Sequence, residues 1–198
     1  MKAPLISLVS LSLLAASGYA EQKGVATPVQ KANYVNEAQL PKDWPMPGPY
    51  GEVVKKEYPV YRAAFTESGG LTRSFWTLFQ HIQSKEIPMT APVEMKMAEK
   101  DGKMEMTSMG FLYQDTSVGE VGVDGEKVEV TDVPAMTVLS YTWMGPNNDK
   151  AVKKARAALD TEVAEKKLTV KSYRLLGYNG PSVAKAKRTH ELQAILKR

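Results

Sequence analysis

Apolar positions recur at helical spacing in one well-defined place. Phe75, Leu78, Phe79 and Ile82 fall at i, i+3, i+4 and i+7, which predicts an amphipathic helix over residues 71–84. Upstream, residues 53–65 read as a strand interrupted by Pro59, an edge or a bulge, and Gly69-Gly70 ends it. Downstream, Pro88 and Pro92 bracket a strand expected to begin near Met89. Asp101-Gly102 signals a hairpin turn, with residues 103–113 as the return strand. The same order then recurs. A turn at Asp124-Gly125 leads into a strand-rich stretch, 127–144, broken at Pro134 and stopped by Gly145-Pro146. Asn148 or Asp149 caps a helix running to about Lys166, with Val152, Ala155, Leu159 and Val163 on one face. A strand over 168–178, a turn at Gly180-Pro181 and a closing strand over 189–196 complete the chain. Two successive β-α-β-β units of this kind predict an α+β fold: a duplicated unit forming a distorted, largely antiparallel barrel with two helices packed outside.

The N-terminal region does not share this patterning. Residues 1–20 carry a short positive start at Lys2, an apolar run over 5–16, and Gly18-Tyr19-Ala20 ahead of Glu21, the layout of a cleaved signal peptide. The apolar run is shorter than the roughly 20 residues that span a bilayer. With no Cys after it to take a lipid, the protein is expected to be periplasmic or secreted, with no stable membrane insertion after cleavage. Residues 21–49 contain Pro28, Pro41, Pro45, Pro47 and Pro49 without a sustained period and read as an extended arm that packs Trp44 onto the domain. Residues 50–198 are then the folded domain. The absence of Cys excludes disulfides, thiolate metal sites and Cys nucleophiles. A formal net charge of +4 in 198 residues does not indicate a nucleic-acid partner. The basic clusters at Lys150, Lys153, Lys154 and Arg156, and at Lys185, Lys187 and Arg188, read most simply as solvated faces.

Five segments, in order, carry a resemblance to a known family: EYPVY at 57–61, FWTLFQHI at 75–82, IPMTAPV at 87–93, GYNGP at 177–181 and KRTHEL at 187–192. With them the chain resembles the SOUL/haem-binding protein family from residue 50 to 196, IPMTAPV being the most specific segment. The resemblance implies a duplicated β-α-β-β unit in a distorted barrel that binds haem or a related tetrapyrrole in an apolar groove. It departs from the family pattern at His81, where Tyr is usual, at the short turn 83–86, and at His190, where Asn is usual.

Candidate chemistry gathers around the two histidines and the methionines. His81 lies about 60° off the centre of the apolar helix stripe, a flank position. It is either an axial haem ligand, and so the candidate metal residue, or a helix-flank His bonded to a neighbouring strand. Leu78 and Ile82 are its companions on that helix as candidate haem contacts. His190 shares a strand face with Leu192, Ala194 and Leu196, and reads as a satisfied, partly buried core histidine. Six methionines lie between Met89 and Met109. Met95 and Met97 share one strand face, Met104 and Met106 another, and a hairpin pairing Met97 with either Met104 or Met106 crowds all four together. With Met89 they form an adaptable core layer, a flexible wall for a flat apolar ligand, or a thioether site for Cu(I). Covering on the order of 400 Å² of a macrocycle at about 25 cal/mol/Å² yields roughly 10 kcal/mol before association costs, so micromolar-range binding needs no axial bond. Arg73, Lys85, Lys96 and Arg174 are candidate propionate partners. The functional expectation is a non-catalytic haem-binding protein for which haem is not required to fold. A Met-rich metal- or small-molecule-binding module, and a small hydrolase using Glu191 with Tyr178 or Tyr141, remain as alternatives.

Overall fold

The computed structural model describes residues 34–197. The signal-peptide expectation and the first part of the arm lie outside the described residues. Two strands, β1 (Val53–Tyr58) and β2 (Tyr61–Glu67), flank Pro59, whose missing N–H ends the first and lets the chain turn to the second. Helix α1 (Leu71–Ser84) occupies the expected span. The hairpin β3 (Val93–Lys100) and β4 (Lys103–Leu112) follows, then a short β5 (Gly122–Asp124), β6 (Val128–Val133) and β7 (Met136–Met144). Helix α2 (Asp149–Glu165) is capped by Asn148, whose side chain accepts from Ala151 N at 3.0 Å. Strands β8 (Val170–Gly177) and β9 (Thr189–Leu196) close the chain.

The nine strands form one sheet in the order β1-β7-β9-β8-β3-β4-β2-β6-β5, every strand pairing antiparallel. The sheet is barrel-like but not closed. The duplication is visible in it: β2-α1-β3-β4 and β7-α2-β8-β9 each place their last strand between the other two, and β3 meets β8 at the centre. The units interlock, because β1 pairs with β7 of the second and β6 with β2 of the first. The strand expected near Met89 begins at Val93 instead. Pro88 and Pro92 cannot donate to a ladder, and Ala91 N bonds the carbonyl of Gln39 in the arm.

Both helices lie on one face. Leu78 and Ile82 of α1 and Ala155 and Leu159 of α2 join Met95, Met109, Leu175 and Leu192 in a single buried cluster. The opposite face carries a second cluster around Tyr58, Tyr61, Phe65, Leu176 and Tyr178, covered by Trp44 of the arm. No helix among the described residues is long and apolar enough to cross a membrane.

Candidate functional site

The hairpin register pairs Met97 with Met106 and, after a bulge at Lys96/Met97, Met95 with Met109. Met95 and Met109 are buried, whereas Met97, Met104 and Met106 are half-buried, so the methionine layer is core at its base and surface at its rim. Met104 also borders a cleft of about 350 Å³ between the hairpin tip and α2, and its sulfur accepts from Arg156 Nη1 at 3.0 Å. Arg156 is additionally paired with Asp160 and Glu99 and lies over the Tyr173 ring, so this cation belongs to a network rather than a free solvated face. Met89 is half-buried, and Leu78 and Ile82 are core residues at 0% and 3% exposure.

The aromatic residues of α1 pack on the same buried cluster. Phe75 and Phe79 stack at 5.9 Å with an interplanar angle of 13°, and Phe75 packs on Phe111 of β4 at 5.1 Å. Trp76 packs edge-on to both yet remains 54% exposed. The helix stripe assigned Phe75 and Phe79 to the core and passed over Trp76. Two adjacent aromatics on one helix cannot both face inward, and that was the available signal.

His81 sits deeper than a flank position implies, at 6% exposure. Its Nδ1 meets Asp124 Oδ2 at 2.5 Å and its Nε2 meets the Tyr113 hydroxyl at 2.7 Å. Burial and the nearby Asp124 carboxylate push the Tyr113 phenol up to about 12, so it stays protonated and donates to Nε2. Nδ1–H then donates to Asp124, whose carboxyl is held below its usual range by that bond and by Lys85. Both ring nitrogens are occupied, and one side chain fastens α1 to β5 and to the segment that follows β4.

His190 differs in each of these respects. It lies on the helix face as expected, at 7% exposure, but neither ring nitrogen has a hydrogen-bond partner among the described residues. Burial and the Arg188 charge lower its pKa from 6.5 to about 4; a nearby Gly145 backbone group opposes this weakly without reaching hydrogen-bond geometry. The ring is therefore neutral.

Polar groups on the face away from the helices form a hydrogen-bonded cluster, although Arg174 Nη2 and Trp44 Nε1 have no partner among the described residues. Glu191, fully buried, accepts from Lys56 and Tyr58 at 3.0 Å, Ser140 and Gln193 at 2.5 Å, and Tyr178 at 3.1 Å. Tyr141 is in the helix-face core and is thus separated from Glu191. Arg174, also fully buried, binds Glu94 at 3.0 Å and Gln193 at 2.7 Å and faces the rings of Trp44, Tyr58 and Tyr61. Burial opposes its charge, but the Glu94 carboxylate and the surrounding phenols outweigh that and raise its pKa. Of the suggested propionate partners, Arg174 is thus enclosed, Lys96 lies over Phe65, Lys85 pairs with Asp124, and Arg73 is exposed on α1.

The SOUL heme-binding protein family matches residues 50–195. A search of curated proteins gave no match. Among solved structures, the chain is similar to the EcmrR C-terminal domain at 16% identity and TM-score 0.55, covering 74% of this chain and 98% of that one. The longer EcmrR chain, solved in a DNA complex, is similar at 15% identity and TM-score 0.57; 74% of this chain matches, spanning 57% of that chain. A hydrolase from Listeria innocua is similar at 14% identity and TM-score 0.53, with 76% and 94% coverage. At these identities the likeness to solved structures concerns the fold.

Proposed function

The chain belongs to the SOUL heme-binding protein family, and from that premise we propose that it binds haem or a related tetrapyrrole, without catalysis, on the helix face of the sheet. The observation that carries this reading is the aromatic surface of α1: Phe75 and Phe79 stacked and half-buried, with Trp76 exposed beside them. A flat macrocycle covers such rings by offset stacking and removes a large apolar area from water. Met97 and Met106, half-buried on the same core, are side chains that adjust to ligand shape. Exposed Arg73 supplies a cation for a propionate. These residues fit the macrocycle rather than its iron. Ligation through Nε2 would cost His81 its bond to Tyr113, and the reading rests on apolar contact rather than on an axial bond.

Hemin titration of the purified protein, followed at the Soret band, tests the reading. The expected result is saturable binding in the micromolar range that weakens on Trp76→Ala. No saturable change below tens of micromolar would remove it. Non-catalytic binding also agrees with Glu191, whose carboxylate is enclosed by five donors and has no exposed surface.

A further inference from the structure

Four residues lie side by side across the helix face near one end of the sheet. Trp143 of β7 pairs with His190 of β9, His190 with Gly177 of β8, and Gly177 with Val93 of β3. Gly177 leaves a gap in this row. A Cβ at that position would lie 3.6 Å from Met95 Cε, 4.0 Å from His190 Nδ1 and 4.0 Å from the Val93 carbonyl oxygen. Met95 belongs to the next row of the face, and its terminal methyl reaches the glycine, in the space beside the imidazole. The indole of Trp143 forms a further wall, 5.5 Å from the His190 ring centroid and tilted by 36°. Trp143 and Gly177 are half-buried, which puts the gap one side chain below the surface.

A polar ring buried without a partner is costly, and an apolar residue would fill this place without that cost. The ring is also neutral, with lone-pair character on one nitrogen. We infer that His190 Nδ1 and the Met95 thioether form a binding site for a soft monovalent cation, Cu(I) in particular. Imidazole and thioether are the donors that soft copper prefers, and the chain has no Cys to compete for it. A hard divalent cation would need carboxylates, and the buried pair, Glu94 and Glu191, belongs to the other face of the sheet. The Trp143 ring adds a cation–π surface suited to a single charge stripped of water. The site uses neither Trp76 nor the hairpin rim and is independent of haem binding. The site requires the unbranched Met95 side chain to change rotamer and turn Sδ toward His190 Nδ1, an adjustment that methionine makes readily.

Anaerobic titration with Cu(I) against the chromogenic chelator bicinchoninate tests this. The protein is expected to withdraw one Cu(I) per chain and to quench Trp143 fluorescence, a change absent in Trp143→Phe. His190→Ala and Met95→Leu should each weaken binding on the order of tenfold or more, whereas the Met97→Leu/Met106→Leu double variant should retain it. Near-UV circular dichroism checks that the variants are folded, and His190→Phe replaces His190→Ala if the latter is not. Failure of the unaltered protein to compete, affinity unchanged without the His190 imidazole, or a loss that follows Met97 and Met106 instead would each overturn the proposal. In those cases the gap holds a water between His190 and the Val93 carbonyl, or nothing.

Discussion

His81 and His190 show how much a side chain's role depends on what the rest of the fold brings to it. Each was assigned to a face from spacing alone. His81 acquires Asp124 from 43 residues away and Tyr113 from 32, and a helical wheel contains neither. His190 is on the face that strand alternation indicates, but its surroundings, Trp143, Gly177 and Met95, come from β7, β8 and β3 in a row of four adjacent strands that includes its own. His81→Phe should cost about 1–3 kcal/mol in urea unfolding, because the Tyr113 hydroxyl is left buried without its acceptor. The same variant should leave the hemin Soret position unchanged, since Nε2 is held by Tyr113 and the proposed binding is through apolar contact on α1. His190 makes a prediction of opposite character. Its folded pKa, about 4, lies below the unfolded 6.5, so the unfolded chain binds more protons between those values and stability falls as pH drops through that window. Complete loss of this contribution amounts to about 3 kcal/mol. Acid titrations of stability should therefore flatten between pH 6.5 and 4 in His190→Phe; equal slopes in both proteins would mean the ring is not held neutral.

At the scale of elements, strong periodicity was legible and short or interrupted pieces were not. Helix α1 and strand β9 occupy their expected spans because an apolar repeat and flanking breakers agree. The turn at Asp124-Gly125 is present, but strand β5 ahead of it was not foreseen. Its three residues, Gly122–Asp124, are too few to show alternation, and it is a strand because β6 pairs with it and His81 holds Asp124. The start of β3 moved because two prolines and the arm claim the preceding residues. Arg174, once a candidate for the ligand's rim, instead ties β8 to β3 and to Trp44 of the arm. Breaking this pair by Arg174→Met should destabilise the protein by about 3–5 kcal/mol, leaving Glu94 as an uncompensated buried charge. Adding Glu94→Gln should restore part of that loss in the same denaturation assay. Additive losses would mean that the two side chains are not coupled.

The whole molecule repeats one unit in a way that composition does not reveal. Succession of elements indicated two β-α-β-β units. That β1 and β6 each cross to the other unit is a matter of long-range pairing, for which a single sequence carries little signal. The result is a sheet whose two faces do different work. One is closed by a buried polar cluster and the arm, the other leaves aromatic and methionine side chains between core and solvent. Export is a proposal at this same scale: N-terminal sequencing of the protein recovered outside the cytoplasm should begin near Glu21, and retention of Lys2 would oppose it. The central claim is that apolar stacking on α1, not a histidine, holds the tetrapyrrole. The most direct measurement is parallel hemin titration of the unaltered protein, His81→Phe and the Trp76→Ala/Phe79→Ala double variant, followed at the Soret band. The account predicts saturable micromolar-range binding in the first two and a loss on the order of tenfold or more in the third. Equal binding by all three, or loss confined to His81→Phe, would contradict it.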